Sequence, residues 1–379
     1  MKRILLIVND AGFFLSHRLP VAQEAIKNGY KVFLASKGTD SQKALIESEG
    51  ITFIPIRLSR SGLSLISNLQ TFHQICSAIK DVKPDLVHAV TIKPVVYGGI
   101  ASRLLGVPAL VCAVSGLGNV FVSKRPLSKV VRKVASLLYR LAFMHNNITV
   151  IFQNPDDRDQ LINLVSLNRQ RCVLIRGSGV DLKLYRHLPQ PDVVKVLMVS
   201  RLLKDKGLCE FVKAAQNIRR HKPEVVFQVV GDPDPDNPAS VTESELLRWK
   251  QEGNVEFLGY HSDVRPFYET SSIVCLPSYR EGLPKVLIEA AASGRPVVTT
   301  DVPGCRFAVE EGITGLLAPP KHSEALANQI NVLIEDRVLR EKMGQAAYEL
   351  AQREFSVNYV VERHLDIYQQ LLGKKSAEK

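Results

Sequence analysis

SIVCLPSYREGLPKVLIEAAASGRPVVTTD, residues Ser272–Asp301, changes character three times in a short span. Ser272–Ser278 reads as a short apolar strand, and Tyr279–Leu283 as a polar loop around Gly282. Pro284 suits the first position of a helix, where its missing N–H would have had no partner. Leu287, Ala291 and their apolar neighbours carry that helix to Ser293. Gly294 stops it, and Pro296 leads into the next strand. Strand, helix and strand in this order make a βαβ unit, the building block of a parallel sheet. Two carboxylates punctuate the unit. Glu281 lies before the helix, and Glu289 lies inside it, more than a turn further on.

The same alternation runs the length of the chain. Apolar strands are expected at Arg3–Val8, Lys31–Ser36, Ile51–Ile56, Asp85–Val90, Ala109–Val114, Asn147–Phe152 and Cys172–Gly177. Helical patterns lie near 18–28, 63–82 and 95–105. The series pauses at Asp181–Val194, which carries two prolines, and restarts with Lys195–Ser200, Val225–Val230 and Val255–Gly259. The fold class this predicts is α/β, with two Rossmann-like parallel-sheet domains over residues 1–186 and 187–356. An amphipathic helix over 357–372 follows them.

A length of 379 residues suits two domains of ordinary size. The six cysteines form no C-x-x-C pair, so neither a disulfide framework nor a zinc site is indicated, and a reduced cytosolic setting is expected. The first apolar run ends at Asn9 and Asp10, too soon for a signal peptide. The longest, Ala109–Val122, is too short to span a bilayer. There is no G-x-G-x-x-G, no P-loop, no G-x-S-x-G and no H-E-x-x-H, which removes the direct routes to dehydrogenase, kinase, esterase and metalloprotease readings.

Charge is unevenly placed. Residues 1–190 hold 25 Lys+Arg against 11 Asp+Glu, whereas residues 191–379 hold 24 against 27. Only the first half is therefore expected to meet an anionic partner. Its densest cluster, Ser123–Phe143, alternates Lys124, Arg125, Lys129, Arg132, Lys133 and Arg140 with apolar residues at helical spacing. That pattern fits a helix on an anionic membrane surface or one packed in its own domain. No basic stripe interleaved with aromatics supports nucleic-acid binding.

In open α/β sheets ligands bind beyond the carboxyl ends of the strands, and two such sheets place the default site in the cleft between them. Gly12 follows the first strand. Arg201 and Lys206 follow Lys195–Ser200, where a guanidinium fork and an ammonium suit a diphosphate. Glu281 and Gly282 follow Ser272–Ser278. The two glutamates fit three readings: anions settled at a helix start, a hydrolase pair, or two grips on one ligand. Their spacing favours the last, because Glu289 is about five residues into the helix, roughly 7–8 Å along its axis. Hydroxyls at either end with phosphates between describe a nucleotide sugar. Gly231–Pro238, with Asp232, Asp234 and Asp236, reads as a stiff proline-rich loop rather than a metal site.

Taken together, SRLLKDKG, GSGVDLKLY, VEFLGY, VSGLGNVF, IFQNPDDRDQL and the long run from Leu276 to Pro320 resemble the retaining GT-B glycosyltransferases of family 4, in the subgroup that builds bacterial capsule, O-antigen and related surface glycans. The resemblance implies donor binding by the second domain and acceptor binding by the first, with the last helix crossing back onto the first domain. Glu281 would contact the donor sugar, Glu289 the ribose, and Arg201 and Lys206 the diphosphate. The segment Gly282, Leu283, Lys285 and Val286 would assist through its N–H groups, with Tyr260 and Gly12 completing the donor site. Transfer would go from a UDP-sugar to an undecaprenyl-diphosphate-linked saccharide, with no metal or other cofactor, on the cytoplasmic face of the membrane. Many relatives carry a His where this chain has Ser115, so His88 is the alternative near the reacting centre. Arg18, Lys93, Ser115 and Asn119 are candidates for the acceptor. A soluble sugar-phosphate acceptor and a non-catalytic nucleotide-sugar-binding subunit are the competing readings.

Overall fold

The computed structural model describes residues 1–58, 65–117 and 126–373, apart from the side chains of 65 and 126–131. Asn119 and the start of the basic cluster, Lys124 and Arg125, lie outside the described residues. The chain divides into two compact units, Met1–Ser178 with 358–379, and Gly179–Val357. Residues 179–186, expected at the end of the first domain, thus group with the second. The reason is packing: Val180 is buried in the second unit's core, Leu182 and Tyr185 lie against it, and Val180 N–H donates to Phe355 O at 2.8 Å.

The first unit holds β1 (Arg3–Asp10), β2 (Lys31–Lys37), β3 (Thr52–Pro55), β4 (Leu86–Val90), β5 (Ala109–Val114), β6 (Ile148–Phe152) and β7 (Cys172–Leu174). Their order is β3-β2-β1-β4-β5-β6-β7, with every pairing parallel. The chain runs outward from β1 to β3 and returns to the other side of β1, which makes β1/β4 the topological switch point. The central strands β4 and β5 are buried at every position. Covered on both faces, they read as unbroken apolar runs.

The second unit holds β8 (Lys195–Val199), β9 (Val226–Val230), β10 (Glu256–Phe257), β11 (Ile273–Leu276), β12 (Val297–Thr300) and β13 (Gly315–Ala318). These are ordered β10-β9-β8-β11-β12-β13, again all parallel, with the switch point at β8/β11. Pro284 is the cap rather than the first helical residue; the helix after β11 spans Lys285–Ala292.

The last helix, Val357–Gly373, belongs to the first unit. Its Tyr368 hydroxyl lies 2.6 Å from His88 Nδ1, and Lys2 Nζ donates to Leu372 O at 2.8 Å. His364, from the same helix, stacks obliquely 5.7 Å from the His88 ring, and Arg18 is buried alongside. Burial first, then His364 and Arg18, holds His88 well below the usual imidazole value. Burial brings His364 down to about 3 and the Arg18 guanidinium to about 10. Both imidazoles are therefore neutral in the folded chain near neutral pH. Unfolded, they bind protons below about pH 6.5, so acid favours the unfolded chain. The stability these two histidines contribute is complete above that value and declines as pH falls toward 3. The melting temperature should fall on going from about pH 7 to about pH 5, and the fall should be shallower in His364→Gln. Calorimetry across this range measures it.

Candidate functional site

The residues singled out in the second unit gather at the switch point. Arg201 and Lys206 follow β8, and Glu281 follows β11, the strand hydrogen-bonded beside it. Lys206 Nζ is ion-paired with Glu281 Oε1, and the same oxygen accepts from Ser278 Oγ at 2.7 Å. Glu281 N–H donates to Pro303 O at 3.2 Å, which ties its loop to the segment after β12. That approach needs a glycine: Gly304 has φ +83°, and a Cβ there would lie 2.6 Å from Gly282 O. Gly207, one residue after Lys206, has φ +77° and packs equally closely on Pro277.

Arg201 is half-exposed and paired with Asp234 of the Gly231–Pro238 loop. Sequence reasoning missed this partner, since it treated the aspartates only as possible metal ligands. Gly231 N–H donates to Gly259 O at 2.8 Å, which brings the end of β10 to the same edge. Tyr260, the next residue, is 73% exposed there. Leu283 and Val286 belong to the apolar packing of the unit.

Glu289 differs from Glu281 in being buried, with 5% exposure. Tyr268 Oη donates to its Oε2 at 3.0 Å, Lys285 Nζ stands 3.5 Å from Oε1, and the Tyr185 ring packs edge-on against Tyr268 with centroids 5.9 Å apart. Burial, then the Glu289 charge, pushes both phenols above their ordinary value, so each remains a donor. Neither tyrosine was legible as a site residue. Tyr185 lies in the proline-flanked linker and Tyr268 in a short helix, and only the fold brings them together. No side chain caps the Lys285–Ala292 helix, whose N-terminus faces the Glu281 loop in sequence.

Candidates in the first unit fare differently. His88 is fully buried inside β4 rather than at its end, and Arg18 is 2% exposed beneath the last helix. Both placements differ from the strand-end expectation: the two side chains are buried in the neutral-histidine cluster described above. Gly12 lies in the first turn of the helix Ala11–His17 after β1, not in a loop. Lys93 is in the first turn of the helix after β4, where its Nζ donates to Asn68 Oδ1 at 3.2 Å. Ser115 follows β5, half-buried, with no hydrogen-bond partner for Oγ.

Two Rossmann-like sheets with this strand order define the GT-B class of sugar-transferring folds. The "Glycosyl transferase 4-like" family model matches residues 3–154, and the "Glycosyl transferases group 1" model matches residues 186–350. Together they span more than four-fifths of the chain, which belongs to the family 4 GT-B glycosyltransferases. It is 27% identical over 380 residues, covering 96% of this chain and 98% of the relative, to the N,N'-diacetylbacillosaminyl-diphospho-undecaprenol alpha-1,3-N-acetylgalactosaminyltransferase of Campylobacter jejuni. It is 28% identical, over 73% of each chain, to the UDP-Gal:alpha-D-GlcNAc-diphosphoundecaprenol alpha-1,3-galactosyltransferase of Escherichia coli. In fold it is similar to Anabaena Alr3699/HepE in complex with UDP, with a TM-score of 0.79 and 21% identity, over 98% of this chain and 100% of that one.

The buried carboxylate sets a test of the geometry. Tyr268→Phe leaves Glu289 short of a donor and should cost about 1–3 kcal/mol. Glu289→Gln, whose amide oxygen still accepts from Tyr268, should cost less. Urea unfolding of both variants compares them.

Proposed function

We propose that this glycosyltransferase moves a hexose or N-acetylhexosamine from a UDP-sugar to an undecaprenyl-diphosphate-linked saccharide, with retention and without a metal. The observation that carries the acceptor reading is the end-to-end match to a relative named for a diphospho-undecaprenol acceptor. The donor reading is supported by Arg201, Lys206 and Glu281 converging on the β8/β11 switch point, where open α/β sheets take their ligands.

The ion pairs of the second unit suggest how the donor is received. Lys206 and Arg201 are held in place by Glu281 and Asp234, so neither long side chain has to be ordered from solution when a diphosphate arrives. As the diphosphate takes the cations, Glu281 is freed to accept from sugar hydroxyls. Glu289, fixed by Tyr268 and flanked by Lys285, is the more rigid acceptor and suits the ribose hydroxyls. In the reaction the acceptor oxygen bonds to the anomeric carbon as the carbon–phosphate oxygen bond breaks. The acceptor proton passes to the departing phosphate on the same face. Arg201 and Lys206 act as that phosphate gains negative charge, so they contribute more in the transition state than before it. On this reading the departing phosphate takes the proton and no carboxylate base is required.

A panel of UDP-, GDP- and TDP-sugars offered with a lipid-diphosphate saccharide, and separately with a sugar phosphate, tests the substrates. Proton NMR of the product tests retention. Arg201→Ala, Lys206→Ala and Glu281→Gln should each lower kcat by about 10²–10³ while leaving the melting temperature near wild type. Activity should persist in EDTA. Wild-type turnover by the Arg201 or Glu281 variant would overturn the assignment.

A further inference from the structure

Lys206 and Arg201 are each paired with a carboxylate, but the two carboxylates are not equally free to leave. The loop Gly231–Pro238, which carries Asp234, follows β9, the neighbour of β8 on the side away from β11. Asp234 stands between Pro233 and Pro235, which restricts its backbone. Its N–H donates to Ser240 Oγ at 3.0 Å, and its carbonyl accepts from Asn237 N–H at 2.9 Å. The loop is laced in turn to the segment that carries Arg201. Leu202 N–H donates to Asp232 O at 2.9 Å, Lys204 N–H to Ala239 O at 2.8 Å, and Val241 N–H to Leu202 O at 3.0 Å. Asp234 thus meets Arg201 across two segments that share one backbone network. Its side chain is 24% exposed, against 51% for that of Arg201.

We infer that Asp234 is a resident competitor for the donor diphosphate: its carboxylate holds the guanidinium that the phosphates would take, and it reclaims Arg201 when the nucleotide product leaves. Glu281, once displaced from Lys206, has sugar hydroxyls to turn to. Asp234 is fixed where it is and faces a like charge for as long as the diphosphate stays. The carboxylate therefore sets how much negative charge a ligand has to bring. A diphosphate that bridges Arg201 and Lys206 brings enough to part the pair, and a neutral nucleoside brings none. The competitor has a use in turnover. The product keeps both phosphates of the donor and adds the charge of a free terminal phosphate. Cations without a competitor would hold such a product more tightly than the donor, whereas a fixed carboxylate opposes both and opposes the more charged one harder. The inference rests on the diphosphate reading of Arg201 and Lys206, and adds what selects the ligand by charge and what expels it.

The experiment is titration calorimetry of the full chain, wild type and Asp234→Asn, with UDP, inorganic pyrophosphate and uridine. Asparagine keeps the size and an oxygen acceptor for Arg201 while removing the charge. UDP and pyrophosphate should bind the variant about tenfold more tightly at low salt, and the gain should shrink as salt is raised. Uridine should bind both proteins alike. Asp234→Ser should show the same gain, and both variants should melt near wild type. Equal or weaker binding of UDP and pyrophosphate by these variants overturns the inference, since Asp234 would then only brace Arg201. A gain of the same size for uridine also overturns it, because uridine has no phosphate to be repelled. So does a wild type that binds neither UDP nor pyrophosphate. Binding is read without sugar or lipid, so the inference and the transfer reaction can fail separately.

Discussion

A carboxylate buried inside a helix has to be answered by donors, and the answer to Glu289 organises much of the second unit. The Tyr268 hydroxyl reaches it from a short helix, and Tyr185, from the linker that precedes β8, packs edge-on against Tyr268. Tyr268 is itself held by its backbone: Arg295 Nε donates to Tyr268 O at 3.0 Å, while its Nη2 and Nη1 take Glu269 O and Pro189 O. Arg295 is fully buried with its guanidinium donating to three backbone carbonyls, and burial, partly offset by the Glu269 charge, brings it down to about 10. Glu289, Tyr268, Arg295 and the Pro189 backbone thus form one connected polar path through an otherwise apolar core. Interrupting it anywhere leaves a buried group unpaired, the costly case for a polar network. Its geometry is rigid for that reason, which is what a ligand-gripping carboxylate needs.

Glu281 is built by a different logic. It sits on the loop after β11 and shares its charge with Lys206 and Ser278, near the surface. Partners of that kind can be exchanged for a ligand's charges at little cost, whereas the partners of Glu289 cannot. The two glutamates that look alike in the sequence are therefore an adjustable group and a fixed one. Both lie on elements that follow β11, so the switch point sets their position and the local partners set their freedom.

Much of this architecture was legible beforehand, for a reason that also marks its limits. Strands of a parallel sheet are buried on both faces, so β4, β5, β11 and β12 announce themselves as apolar runs. The helix Asp40–Ser48 does not, because it buries only Ile46 and is held at its start by the Thr39–Gln42 capping box. β13 is a four-residue segment with two half-buried leucines, too short for a periodic signal. In the site, strand-end logic located Arg201, Lys206 and Glu281, whereas Asp234, Tyr185 and Tyr268 became partners only through contacts distant in sequence. His88 illustrates the opposite error. A histidine near the end of an apolar strand looks available, but the last helix returns from 280 residues away to cover it.

The uneven charge of the chain gains meaning once the cations are sorted by what faces them. In the second unit Arg201, Lys204, Lys206 and Lys222 each have a carboxylate partner, Asp234, Glu245, Glu281 and Glu335 in turn. Charge held in this way is local. It screens itself within a few ångströms and can act on a ligand only by exchange at that place. The stretch between Asp85 and Asp156 has no acid of its own, so partners for its cations come from elsewhere in the chain, as Asn68 does for Lys93. The basic excess of the first half and the near balance of the second thus differ in where the acids lie, since in the second unit each of these cations is answered at short range.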